Sequence, residues 1–253
     1  MDTFPGMPPI VSTHGSEMAQ LMWYVHILMG LLFVGWIAYF GYVVFRYRAK
    51  RNPKANYEGS KGKFAKKLEI LVAVIEGVLL VAFSIPMYSE RVDALPPESD
   101  AIVIDLIAEQ FAWNLHYPGE DGIFGKRDIE KIDETNAIGL DRSSPGGADD
   151  IVTINQLHVP YGKPVIIRLT SKDVIHCFNL PVMYVKQDII PGMRIPIWFE
   201  ATGPIKSEIT CAQLCGLGHY RMKGFLTVES MEAYQAWLAE EATYIVGEDE
   251  EAW

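Results

Sequence analysis

Cysteine is scarce: three residues in 253. That excludes a small disulfide framework. No C-x-x-C-H run occurs, so no c-type haem is attached to this chain. Positive charge is also in short supply. Lys and Arg number 22 against 32 Asp and Glu, and the formal net charge is -10. A general nucleic-acid-binding surface is therefore not expected. Met1 to Gln20 has no basic segment ahead of its apolar run, so it reads as a polar tail and not as a cleaved signal peptide.

What the chain does have is apolar length, with 49% hydrophobic residues. Leu21 to Phe45 is almost wholly apolar, broken only by His26 and glycines. As a helix it spans about 37 Å, against about 30 Å of hydrocarbon. Trp23, Tyr24, Tyr39 and Tyr42 lie toward its ends, as membrane-interface aromatics do. His26, near one end, fits the interface or helix packing. Leu68 to Tyr88 is a second span of about 31 Å. The loop between them, Arg46 to Lys67, carries nine basic residues against Glu58 alone. By the positive-inside rule this loop is cytoplasmic. A nucleic-acid patch between two membrane spans is the weaker reading. Residues 21–93 thus form a transmembrane helical hairpin, with the N-terminus and the large C-terminal part on the outer, periplasmic side of the plasma (inner) membrane. Glu69 stands at the cytoplasmic start of the second span and Glu76 about two turns deeper. A carboxylate at membrane depth must face protein or water.

After the linker Ala94 to Ser99 the pattern changes. Ala101 to Ala108, Ile151 to Asn155, Val165 to Leu169, Ile195 to Phe199 and Gly224 to Val228 are short β-type runs separated by turn residues. They predict an all-β sandwich or barrel over 94–230. Residues 117–150 form a polar insertion too long for an ordinary loop. Ser230 to Tyr244 reads as an amphipathic helix with Met231, Tyr234, Trp237 and Leu238 on one face, followed by an acidic tail; the two fill 231–253. From Pro96 onward there are 25 acidic and 12 basic residues. Such a surface would steer a basic partner.

Chemistry concentrates in Cys211-Ala-Gln-Leu-Cys215-Gly-Leu-Gly-His219-Tyr-Arg-Met222, with His176 35 residues upstream of Cys211. Two His, Met and thiolate are donors that select copper or zinc. Two thiolates four residues apart can bridge two metals. A structural zinc site or a Cys211–Cys215 disulfide are the plainer readings, but zinc leaves Met222 without a role. Cys177, the strand neighbour of His176, should point to the opposite face and act as a small apolar residue.

This C-x-x-x-C-x-x-x-H-x-x-M motif with an upstream His resembles the dinuclear CuA site of cytochrome c oxidase subunit II, and the resemblance extends over nearly the whole chain. It implies an N-terminal two-helix transmembrane hairpin followed by an all-β, cupredoxin-like Greek-key domain. It implies that Cys211 and Cys215 bridge two copper ions and that His176 and His219 bind one each. Met222 and the Gln213 carbonyl would be weak ligands. It implies a subunit that takes electrons from a c-type cytochrome, or a haem c domain, and passes them to subunit I. The haems and the reduction of oxygen to water belong to partner subunits. Glu69 matches the glutamate at the mouth of one proton-uptake path; an interfacial acid beside Lys66 and Lys67 is its plainer reading. Glu76 stands where many relatives carry proline and receives no role.

Two positions depart from the family. Gln213 replaces the Glu that helps hold a magnesium ion, so magnesium is not carried over, although Asp188 matches the acid near that ion. Phe111, in Gln110-Phe-Ala-Trp113-Asn, replaces the surface tryptophan that often accepts the electron. Phe111 and Trp113 are the candidates for that route; the plainer reading makes both core aromatics. A quinol oxidase subunit II lacks the copper ligands, and nitrous oxide reductase is a longer soluble chain. A copper-assembly protein needs exposed, exchangeable ligands.

Overall fold

The structure, a computed structural model, describes residues 5–54, 57–58 and 62–250. The first residues of the polar tail, five positions of the basic loop and 251–253 of the acidic tail lie outside the described residues. The chain divides into a helical unit, Glu17–Glu90, and a β unit made of the tail up to Ser16 and everything from Arg91.

In the helical unit α1 runs Gly15–Arg46, starting before the apolar stretch at Leu21. Ser-Glu-Met-Ala-Gln ahead of that stretch is compatible with helix, and Glu17 in the first turn suits the positive end of the dipole. The second helix comprises α2 (Lys63–Val78), a π-helical turn (Leu79–Ser84) and α3 (Ile85–Val92). In the wide turn the Ile85 N–H donates to the Leu80 carbonyl, and Ser84 Oγ donates to the Leu79 carbonyl at 3.3 Å. Both helices are long and apolar enough to cross a membrane. Tyr24 and Phe83 meet edge to face, with ring centroids 5.9 Å apart.

The β unit holds ten strands: β1 (Ile102–Glu109), β2 (Ala112–Tyr117), β3 (Ile151–Ile154), β4 (Gln156–Pro160), β5 (Pro164–Ser171), β6 (His176–Leu180), β7 (Val185–Ile189), β8 (Ile195–Glu200), β9 (Ile205–Cys211) and β10 (Lys223–Glu229). They form two five-stranded sheets in the orders β3-β2-β1-β5-β8 and β4-β10-β9-β6-β7. Ile104, Leu106, Trp113, Leu115, Ile167 and Leu169 of the first sheet join Leu157, Phe178, Ile209 and Leu226 of the second in one core. Each such side chain contributes about 2 kcal/mol of burial. A helix α4 (Met231–Glu250) follows β10, and Met231, Tyr234, Trp237 and Leu238 pack on the same core. The Trp237 ring stacks on His158 at 4.1 Å, and His158 Nδ1 lies 2.9 Å from Glu229 Oε1.

The polar tail is tied into this unit. Val11 N–H donates to the Val182 carbonyl, Thr13 N–H to Glu200, and Thr202 N–H to Val11. Ser12 is buried, and its Oγ donates to the Met183 carbonyl.

The insertion covers the outer face of the first sheet. A strand with one solvated face should alternate buried and exposed residues. β1 instead is buried at five successive positions, Ile104 to Ala108. Ile138 and Leu140 of the insertion pack on Ile107. On the same face His116 of β2 donates from Nε2 to Asp150 Oδ2 at 2.5 Å, with both side chains fully buried. Asp150 also accepts from Gly119 N at 3.2 Å and from Gly125 N at 2.7 Å, and the Phe124 ring meets His116 edge-on at 5.0 Å. The insertion is thus a second layer on the sheet.

Candidate metal centre

β9 ends at Cys211, β10 begins at Lys223, and the two strands pair antiparallel. The motif is therefore the loop between neighbouring strands. Cys211 N–H donates to the Met222 carbonyl, and Ala212 N–H to Cys177 of β6, which closes the loop at its base. Gly216 has φ of +134°, open to glycine alone. At Gly218 a Cβ would lie 2.4 Å from the Phe111 ring, so the loop passes flat under that ring.

This loop gathers the ligand-type atoms. Cys211 Sγ and Cys215 Sγ are 3.7 Å apart, and both thiols are free. Cys215 Sγ is 3.7 Å from His219 Nδ1 and 3.7 Å from Met222 Sδ. Cys211 Sγ donates to the Gln213 carbonyl at 3.2 Å. A ring nitrogen of His176 and the two sulfurs lie within 4.8 Å of one another, and all three residues are buried. Cys177 lies outside this group, cross-strand from Asp188. Burial and then Asp188 push its thiol up to about 12.

Two residues with no signal in the motif hold the group in place. Asp173 Oδ1 accepts from His176 Nε2 at 2.9 Å, which leaves His176 Nδ1 buried without a hydrogen-bond partner. Asp173 Oδ2 accepts from Gln110 N at 2.6 Å, and Gln110 Nε2 donates to the Cys215 carbonyl at 2.6 Å. One carboxylate and one amide therefore join the β1–β2 turn to both ligand-bearing segments. Such partners fix the tautomer and orientation of an imidazole ligand.

The charge state also suits a soft cation. Burial pushes the Cys211 thiol up, but His176, the Cys177 and Gln213 backbone and His219 together outweigh it and the value falls to about 6. The Cys215 thiol is pushed up to about 11 by burial and by Cys211 beside it. Two adjacent thiolates repel each other, and a bound cation removes that penalty.

Residues 102–230 match the family model for the periplasmic domain of cytochrome c oxidase subunit II. The alternative cytochrome c oxidase subunit 2 of Bradyrhizobium diazoefficiens is 34% identical over 218 residues, 86% of this chain and 77% of that protein. This chain belongs to the cytochrome c oxidase subunit II family. The cytochrome c oxidase subunit 2 of Cereibacter sphaeroides is 27% identical over 92% of this chain and 78% of its own length. Among solved structures, the periplasmic domain of subunit II of Bradyrhizobium japonicum cytochrome oxidase is 26% identical, covers 57% of this chain and 95% of its own, and gives a TM-score of 0.42. The chain is accordingly a component of a cytochrome c oxidase complex, with a periplasmic cupredoxin-like domain and two helices able to cross a membrane.

The remaining subunit II positions fall as follows. Phe111 is half-buried over Gly216 and Gly218. Trp113 is fully buried, with its ring centroid 6.2 Å from that of His176. The Gln213 side chain accepts from Leu214 N at 3.1 Å. Asp188 is exposed on β7. Glu69 and Glu76 belong to α2 in the helical unit.

Proposed function

We propose that this chain admits electrons to a haem-copper oxidase, receiving them from a c-type cytochrome at a dinuclear copper centre and delivering them to catalytic subunit I. The observation that carries this reading is the buried group of Cys211, Cys215 and His176, with His176 Nδ1 unpartnered and His219 and Met222 beside Cys215. Cys211 and Cys215 would bridge the two ions, His176 and His219 would bind one each, and Met222 and the Gln213 carbonyl would be weak ligands. Such a centre, when bound, supplies reversible one-electron transfer with little change of geometry. The chain's own contribution is to hold the ligands still: Asp173 fixes the His176 ring, Gln110 pins the Cys215 carbonyl, and the second sheet anchors the ends of β9 and β10. Purified protein loaded with copper should contain about two ions per chain and be purple when oxidised. One zinc per chain, or a single copper with a blue mononuclear spectrum, would overturn the reading.

Both long helices are taken to cross the membrane, with the basic loop in the cytoplasm. Cysteines introduced at Lys50 and at Glu134 report this in intact cells. An impermeant reagent should label position 134 and spare position 50. Labelling at 50 from outside would refute the topology.

The donor is read as one held in place, such as a haem c domain of a partner complex. Phe111 stands in place of the expected tryptophan, and Ala137 of the insertion accepts from Lys172, next to Asp173, at 2.7 Å. A tethered donor has a high effective concentration and needs no strong transient docking site. Soluble basic cytochrome c should then be oxidised slowly, with little response to salt. Fast turnover that collapses as salt rises would mean a diffusing donor steered by the acidic surface.

A further inference from the structure

Beneath the insertion lies a cavity of about 560 Å³ that the copper reading does not use. Asp105 of β1 is 3% exposed at its floor. Three guanidinium groups converge on this one carboxylate. Arg194 Nη2 donates to both oxygens, at 2.7 and 2.6 Å. Arg127 approaches no closer than 3.5 Å and Arg168 no closer than 3.7 Å. Arg168 also meets Glu98 at the rim, and Lys172 is held by Glu109 and the Ala137 carbonyl. The Asp128 carboxylate on the wall accepts from Glu130 N.

The imbalance is one of hydrogen-bond donors. Each guanidinium carries five N–H groups in a fixed fork. A carboxylate serves one close guanidinium partner well, and Arg194 Nη2 already donates to both oxygens of Asp105. Arg127 is left with a single long contact, although its side chain is only 27% exposed. Burial and the nearby Arg194 both weaken its hold on its proton, and Asp105 only partly offsets them. Three guanidinium groups thus crowd around the one buried carboxylate of Asp105. Phe124 and several isoleucines complete the wall.

We propose that this cavity binds an oxyanion, of phosphate or carboxylate type, in the fork of Arg127 with Arg168 and Arg194 beside it. The site uses none of the proposed copper ligands and rests on β1, β5, the turn before β8 and the insertion.

The test uses the full-length chain in detergent, titrated calorimetrically with inorganic phosphate and separately with succinate, in chloride buffer of constant ionic strength. One saturable site per chain is expected. The better of the two probes identifies the head group. Arg127→Gln should weaken binding about tenfold or more, the loss of one charge-assisted fork, and Arg127→Lys should retain part of it. Asp105 keeps its Arg194 partner in both variants, so the fold should persist. The thermal midpoint separates a ligand site from a structural one. Phosphate should raise the wild-type midpoint and leave that of Arg127→Gln unmoved. In chloride alone the variant should be at least as stable as wild type, because the cost of burying the Arg127 charge is gone. No saturable binding of either probe, or binding equal in Arg127→Gln, would overturn the proposal. So would a variant destabilised equally with and without phosphate, which would make Arg127 a purely structural partner of Asp105.

Discussion

Cys215→Ser should leave a folded protein that no longer holds two coppers as a coupled pair. Cys215 Sγ lies 3.7 Å from each of Cys211 Sγ, His219 Nδ1 and Met222 Sδ, so its loss touches three of the other donors at once. A serine hydroxyl is a hard, weakly acidic donor and does not bridge soft cations as a thiolate does. Copper content should drop from about two ions to one or fewer, and the purple absorption should vanish. An unpaired electron shared by two equivalent copper nuclei gives a hyperfine pattern that a single copper does not, so electron paramagnetic resonance reads the change directly. Cys177→Ser is the matched control. That thiol sits by Asp188, outside the group, and its loss should leave both spectrum and copper count nearly intact. Equal losses in the two variants would mean that the pairing of Cys211 with Cys215 has been misread.

The second large effect is expected far from copper. Asp150→Ala removes the acceptor for His116 Nε2 and for the Gly119 and Gly125 amides, in a place fully closed to water. Stranding a buried polar partner costs of order 3 kcal/mol. Much of that cost should appear as local opening of the insertion. Lys126, Arg127, Lys131 and Arg142 then become trypsin sites, and cleavage within 117–150 should rise by about a hundredfold. Copper content should stay at the wild-type level, since the ligand loop is braced by Gln110, Asp173 and the β9–β10 ladder. Unchanged proteolysis would show that Asp150 is not the pin of this layer.

The two examples mark what was legible in the chain. Residues at motif spacing, Cys211 to Met222, could be read because the loop that gathers them is continuous and local. Gln110 could not, because its partners Asp173 and Cys215 lie 63 and 105 residues away in sequence and meet it only in the folded domain. Asp173 is only three residues from His176, but an acid at that spacing is no signal until the ring is seen to turn to it. The same contrast holds for the strands. Runs such as Val165 to Ile167 are apolar because both faces are covered. β2, β7 and β9 give weaker strand signals because they mix polar residues into the pattern: in β2, Asn114 is answered by Glu109 of β1 and His116 by Asp150 of the insertion. β7, reading Val-Lys-Gln-Asp-Ile, keeps its middle residues largely toward solvent at a sheet edge. A polar residue in a strand looks like a turn until the group that answers it is known.

The wide turn at Leu79–Ser84 bears on how the second helix is to be counted. Each residue of an α-helix advances the wheel by about 100°, and a π turn holds about one residue more than the α turn it replaces. A helical wheel drawn from Glu69 through Glu76 therefore loses phase at Leu79. Side chains from Ile85 onward point about 100° away from where continuous α-helical counting puts them. Met87 and Glu90, which share a small cavity with Tyr24 and Phe83, owe their place on that face to the extra residue. An alignment that closes this turn with a one-residue gap keeps every downstream face in register, whereas a gap anywhere else in the span rotates the acids of α2 relative to the residues after it.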